Sequence, residues 1–304
     1  MKDYKLAFTD NTTFYGKDLE GFYSNALLRG TTKESFRLIA DVKSKAKLAS
    51  WDLGTILQDE SCSFSNTGEG TLAQKTFEVC PIKINLQLCQ STFEKNYLSE
   101  LLRPGSNGAE VVPSTVEQYV LDQVAKKVAN DLEYVAWQGT GTTVGSLLSC
   151  DNGLQKQLLA DGAVVDVTSS ALTVNNIITA LNAMYAALPT AVREKEDLAI
   201  WMNAKAAAYY RQALAAASAE AYFRQDLPLS YLGVEIIVAG GLGDNKMVMG
   251  SKSNFLLLTD LVSDFEEVNI LPQKNVTGAP VINFTAHFKF AVGYLVGAEI
   301  VYFN

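Results

Sequence analysis

Histidine is almost missing from this sequence of 304 residues: there is one, His287. Multi-histidine metal centres are therefore excluded, and any Ser/His/Asp triad would hang on that residue. Cysteine is scarce too. Cys62, Cys80, Cys89 and Cys150 form no CxxC pair and have no histidine close in sequence. Reduced buried thiols are expected rather than zinc or disulfides. Charge is low, at 19% against a usual ~25%. Basic residues are outnumbered, with 25 Lys and Arg against 33 Asp and Glu and a net charge of −8. That balance opposes binding to nucleic acid through a basic face. Long apolar runs are absent. Phe290–Ala298 falls far short of the ~20 residues that span a bilayer, and charges interrupt the N-terminus every few residues. No membrane association and a cytosolic site of synthesis are expected.

Catalytic signatures are missing as well. GxSxG, HExxH and EF-hand loops do not occur. Gly139-Thr-Gly141-Thr-Thr-Val-Gly145 has one residue too many for GxGxxG and follows a helix pattern. Gly240-Gly-Leu-Gly243 leads into a strand, and Gly250-Ser-Lys-Ser lacks the end of a P-loop, so all three read as turns. Asp131 and Glu133 are two apart on a helix and do not face each other, which makes them part of a solvated face. His287 reads as a surface or interface residue. No catalytic, cofactor-binding or metal residue is assigned.

What is present is enough apolar material, 48%, for a packed core in one large or two interlocked domains. Residues 1–30 have no clean period, but aromatic residues recur, and Phe8, Phe14, Tyr15 and Phe22 are candidate anchors of an extended arm. Residues 31–49 begin like a short helix. A long hairpin follows: Trp51–Phe64 out, Ser65–Gly70 as tip, Thr71–Gln90 back. On the return, Phe77 and Val79 point one way. After Pro81 the phase slips, and Ile82, Ile84, Leu86 and Leu88 carry the apolar face. A slip at proline means a bend, so the outer and inner halves are expected in different sheets. A two-stranded ribbon of this length is marginal alone, and its outer half needs a surface to lie on.

Phe93–Arg103 reads as a short helix stopped by Pro104. Ser114-Thr-Val-Glu117 is a capping box opening a helix to about Trp137. Leu121, Val124, Val128, Leu132 and Val135 form its apolar stripe, with Lys126, Lys127, Asn130 and Glu133 opposite. Gly145–Ser170 is loop-rich and ambiguous. Thr173 caps a second helix ending before Pro189, Leu198–Met202 is a buried strand, and Asn203 caps an Ala-rich helix to about Ala217. Strands follow at Leu232–Ala239, Lys246–Met249 and Asn254–Leu258. One long strand closes the chain, with Ile282, Phe284, Ala286, Phe288, Phe290 and Val292 alternating with polar residues. The class is α+β with two interleaved lobes.

This order, with Glu133-Tyr-Val-Ala-Trp-Gln-Gly139 at the end of the long helix, Trp201-Met-Asn203, Leu232–Ile237, Met247–Gly250 and Asn254-Phe-Leu, resembles the major capsid proteins of tailed bacteriophages. The resemblance implies the Hong Kong 97-type capsid fold. It maps 1–35 to an N-terminal arm, 36–90 to the E-loop hairpin and its base, and 91–139 to a peripheral domain with a spine helix. Residues 140–255 become an axial domain and 256–304 the return strands of the peripheral domain. The E-loop tip, Asn66, Thr67, Gly68, Glu69 and Gly70, becomes a candidate assembly contact, with no cofactor. The implied function is a self-assembling icosahedral shell of pentamers and hexamers around double-stranded DNA, in the virion and put together in a bacterial cytoplasm. Implied partners are many copies of itself, with a separate scaffold, portal and decoration proteins, and enclosed DNA bound without sequence specificity. The stretch before the hairpin has no room for a built-in scaffolding segment. Some relatives crosslink an E-loop lysine; Lys75 sits on the matching hairpin but reads as solvated. Two other readings stay open: an encapsulin-type nanocompartment shell, and an α+β enzyme with a pocket near His287.

Overall fold

The computed structural model describes residues 12–14, 32, 35–53, 57, 59–60, 62, 70–89, 113–141, 153–168, 171–217, 229–260, 268–273 and 281–304. In chain order its early strands are β1 (Thr12–Phe14), β2 (Arg37–Ile39), β3 (Lys45–Leu53), β4 (Gly70–Glu78) and β5 (Cys80–Cys89). Next come helix α1 (Pro113–Gln138), α2 (Leu154–Ala160), strand β6 (Val165–Val167), helix α3 (Ile177–Ala187) and the single turn α4 (Thr190–Arg193). Strand β7 (Leu198–Met202) precedes helix α5 (Ala204–Ala217), and then β8 (Ser230–Tyr231), β9 (Val234–Val238), β10 (Met247–Ser251) and β11 (Phe255–Thr259). The chain ends through β12 (Val268–Pro272), β13 (Val281–Tyr294) and β14 (Val301–Phe303).

The described residues form three sheets. The first is organised around β13, whose fourteen residues are the alternating run anticipated at the C-terminus. Ile282 pairs with both Pro272 and Leu88, and Phe290 with both Thr259 and Cys80. A strand residue has two edges, so β5 runs along one side of β13 while β12 and β11 share the other. β1 extends this sheet beyond β12, and β2 lies parallel to β11. The second sheet has the order β6-β14-β10-β7-β9-β8. The third is the β3–β4 hairpin alone.

Side-chain alternation assigns each strand face to a core. Ala199 and Trp201 of β7, Val248 of β10 and Tyr302 of β14 turn toward α1 and the first sheet. Ile200, Met202, Met247, Met249, Val301 and Phe303 turn the other way, into a core closed by α3 and α5. The second sheet is therefore a wall with apolar contents on both sides, which is why β7 and β10 are buried along their whole length. β11 does the same: Phe255 and Leu257 enter the first core, while Leu256 and Leu258 meet the base of the hairpin.

Several sequence expectations change. The helix read at the start of 31–49 is short. Thr32 and Ser35 occupy a helical turn, after which the chain enters β2 and β3. Burial of Phe36 against the sheets overrides the local helix propensity of this stretch. The outgoing arm begins at Lys45, six residues before Trp51, and its register runs from Lys45 opposite Glu78 to Leu53 opposite Gly70. α1 starts at Pro113, so Ser114 lies in the first turn. At the second lobe Asn176 is the N-cap of α3, and Thr173 opens the preceding turn. The ambiguous region holds α2 and β6. The C-terminal stretch from 256 to 304, read as one set of return strands, divides: β14 pairs with β10 and β6 in the second sheet. The expected helix at 93–103 lies outside the described residues. Cys62 and Cys89 are exposed, and Cys80 is disulfide-bonded, so the expectation of buried reduced thiols does not hold.

A carboxylate, Asp197, joins the start of β7 to the end of β10 in the second lobe. Burial pushes the Asp197 carboxyl up, but donors from the hydroxyls of Ser251 and Ser253 and the Ser253 amide outweigh it and leave the group below its usual range. The Ser251 hydroxyl donates to Asp197 at 2.6 Å and the Ser253 amide at 3.0 Å. A carboxyl lowered in the folded state adds stability above its unfolded pKa of ~3.9 and loses it as pH falls through the folded value. Thermal midpoints taken from pH 5 down to pH 2 are expected to fall less steeply in Asp197→Asn than in the wild type. Identical slopes would remove Asp197 from the acid response.

Candidate assembly surface

The hairpin divides into a seated base and an unsupported outer part. At the base, Phe77 and Val79 are buried with Val42 against Leu256, Leu258 and Ala291. Phe77 lies over Gly293, where a Cβ would sit 2.3 Å from the ring. A glycine inside a strand marks such a close approach, and this one is the visible trace of it in the sequence. Beyond the base, Trp51 and Leu72 are directly opposite each other in register, 69% and 61% exposed. Cross-strand partners share a face, so the two make one apolar patch on the projecting ribbon. Leu57, past the end of β3, is 87% exposed. The nine-residue strands give a reach of ~30 Å.

The change of sheet falls at Val79, two residues ahead of the slip read at Pro81, which lies inside β5. Among the described residues β4 pairs with β3 alone, Val79 breaks the run, and β5 pairs with β13 from Cys80 onward. The Val79 amide donates to the Ser44 carbonyl at 3.0 Å, which fixes the bend to the start of the outgoing arm. Inner-half residues Ile82, Ile84, Leu86 and Leu88 line one wall of an apolar groove of about 440 Å³, and Val124, Val128 and Leu132 of α1 form the other.

Of the proposed tip residues, Gly70 opens β4 opposite Leu53. Asn66, Thr67, Gly68 and Glu69 lie outside the described residues. Of the arm anchors, Phe14 is the last residue of β1, its backbone opposite Val268, while Phe8, Tyr15 and Phe22 lie outside the described residues. His287 is exposed on β13 opposite Lys83 and is not among the groove residues. Among the described residues no three His, Cys, Asp or Glu side chains gather closely enough to hold a metal, and no helix is long and apolar enough to cross a membrane.

Two charged residues read as solvated are not. Glu133 accepts hydrogen bonds from the backbone amide and hydroxyl of Thr32, which tie the helical turn before β2 to α1. Lys75 is half-buried, its ammonium 3.6 Å from the centroid of the Tyr294 ring. Burial pulls its amine below the usual lysine range, against a smaller upward pull from Asp161. Neither contact is visible in the local pattern, because both partners come from distant elements.

No family model and no curated protein matches the sequence. Solved structures do match the fold. The capsid of a native GTA particle superposes with a TM-score of 0.61 at 16% identity, covering 91% of each chain. The satellite phage P4 procapsid, described together with a size determination protein, gives 0.61 at 10% identity over 95% of this chain and 98% of that one. The capsid of cyanophage A-1(L) gives 0.56 at 12% identity over 90% and 92%. The chain has the capsid fold. It is the Hong Kong 97-type architecture that the resemblance implied, and it extends over nearly the full length of both partners in each comparison. At these identities the capsid fold is the conclusion the comparisons carry.

Proposed function

We propose that this protein is a major capsid protein, whose many copies close an icosahedral shell of pentamers and hexamers around double-stranded DNA. The observation that carries the reading is the near-complete, two-way coverage by capsid folds. The exposed Trp51–Leu72 patch supports it, since an apolar face on a projecting ribbon gains burial only from another surface. In this reading 36–90 is the E-loop that crosses a neighbouring copy, with Asn66–Gly70 at its tip. Residues 1–35 form an arm, and the pairing of Thr12–Phe14 with β12 is its first attachment. Residues 91–139 form the peripheral domain around α1. Residues 140–255 form the axial domain, to which the pairing of β14 adds 301–303. Contacts of this kind are heterologous and close into rings. The role is structural and needs no catalytic group or cofactor. The virion, assembled in a bacterial cytoplasm, is its place, with a separate scaffold, portal and decoration proteins as partners. The net charge of −8 suits a wall that encloses DNA without binding its sequence.

Negative-stain imaging of purified protein tests this. Closed particles are expected from the wild type. Deleting Asn66–Gly70 is expected to leave a folded subunit, with an unchanged thermal midpoint, that fails to close shells. A small oligomer at every concentration would overturn the reading. Nuclease-protected DNA in particles recovered from infected cells separates it from a compartment filled with protein.

A further inference from the structure

We propose that Lys75, Tyr294 and Asp161 form a clamp that couples the stance of the hairpin to the edge of the second sheet, with Lys75 as its positioning residue.

The three groups come from three parts of the fold. Lys75 is on β4 of the hairpin. Tyr294 ends β13 of the first sheet. Asp161 follows α2 and leads, through Val164, into β6 at the edge of the second sheet. The Lys75 ammonium rests on the face of the Tyr294 ring, 3.6 Å from its centroid. The Tyr294 hydroxyl donates to Asp161 Oδ2 at 2.9 Å and lies 3.2 Å from the Gln157 carbonyl. No carboxylate among the described residues lies within 4.0 Å of the ammonium, so the ring is the cation's immediate partner.

The contacts reinforce one another. A hydroxyl donating to a carboxylate enriches the ring in electron density, which strengthens its hold on a cation. The Asp161 carboxylate adds its own attraction through a half-buried path. Its charge is in turn secured by the Ala163 amide, which donates at 3.0 Å. Tyr294 is fully buried and stays a neutral donor, because burial and the neighbouring carboxylate push its hydroxyl far above the ordinary range.

The corner between β13 and β14 is shaped for both partners. Gly293 admits Phe77 of the hairpin, and Gly297 admits Asp161, where a Cβ would fall 2.7 Å from Oδ2. Buried Asn254 holds the corner between them, accepting from the amides of Leu295 and Val296 and donating to the Val296 carbonyl. A shift of the β6 edge therefore reaches the hairpin through one ring on a fixed mount. The coupling is a property of the single subunit. Its consequence for shell curvature rests on the function proposed above.

Hydrogen–deuterium exchange on the full-length, unassembled subunit tests the clamp, with β7 and β10 amides as the internal check that the fold is intact. Lys75→Met keeps the length of the side chain and removes the charge. It is expected to raise opening of residues 45–53 and 70–78 by about tenfold. Lys75→Arg, which keeps a cation over the ring, is expected to stay near the wild type. The decisive variant is Asp161→Asn, which touches no hairpin residue yet is expected to raise hairpin exchange as well, with the double variant less than additive. Exchange changes confined to residues 154–167 in Asp161→Asn, with the hairpin at its wild-type rate, would overturn the proposal. So would an unchanged hairpin in Lys75→Met. Failure to form shells, with the exchange results as expected, would count against the capsid reading and leave the clamp standing.

Discussion

Replacing Phe36 by alanine is expected to destabilise the protein by ~3–5 kcal/mol, a fall of roughly 5–8 °C in thermal midpoint. Phe36 is the point at which both sheets and α1 meet. Its ring stacks on Phe255 at 5.2 Å and meets Trp137 and Trp201 edge-on at 5.8 and 5.7 Å. Trp137 belongs to α1, Trp201 to the second sheet and Phe255 to the first, so the cavity left by truncation opens between three elements that cannot all close on it. The residues beside Phe36 are fixed as well. The Trp137 indole donates to the Thr32 hydroxyl at 2.7 Å, and the Trp201 indole to Ser35 Oγ at 2.9 Å. Such bonds hold the surrounding walls apart and limit collapse. Differential scanning fluorimetry reads the midpoint, and near-ultraviolet circular dichroism reads the loss of fixed tryptophan packing. Phe36→Leu is expected to lose less than half as much. A midpoint within 2 °C of the wild type for Phe36→Ala, a loss of little more than ~1 kcal/mol, would show that the aromatic cluster is not the joint between the lobes.

The second large effect is expected at Gly241. A Cβ there would stand 2.0 Å from the Glu133 carbonyl oxygen and 3.0 Å from the Trp137 ring. The obstacle is helix backbone, which has no rotamer to change, and the Gln138 amide already binds the Gly241 carbonyl at 2.6 Å. Gly241→Ala must push the end of α1 off the second lobe, at the upper end of the ~1–3 kcal/mol usual for overpacking or beyond it. Gly240 is the control. Its added Cβ would meet only the Glu133 side chain, at 3.9 Å, so Gly240→Ala is expected within ~0.5 kcal/mol of the wild type. Urea unfolding of the pair measures the difference directly. Equal midpoints for the two variants would refute the backbone contact.

Gly240-Gly-Leu-Gly243 shows how far a sequence pattern reaches. The turn was legible from the glycines. That one of them receives a helix end from a hundred residues away was not, because the contact depends on where α1 lies. Glu133 and Lys75 failed for the same reason. On their own elements each sits among polar neighbours, and only Thr32 and Tyr294, brought in from elsewhere, make them structural. The helix at Thr32 and Ser35 is short for a different reason: from Phe36 onward, burial outweighs the helix propensity of the stretch.

By itself the sequence determined the α+β class, the hairpin with its change of sheet near Pro81, the long helix, the buried strand at 198–202 with its Asn203 cap, and the closing alternating strand. These follow from periodicity, capping and proline chemistry, which act over a few residues. Only the tertiary structure decided that the last strand joins the second sheet, that β7 and β11 each divide two cores, and that the hairpin base is seated on Gly293 while Trp51 and Leu72 remain open. Those outcomes depend on which surfaces meet across the chain, and apolar burial is non-directional: it dictates that a face be covered without naming the partner.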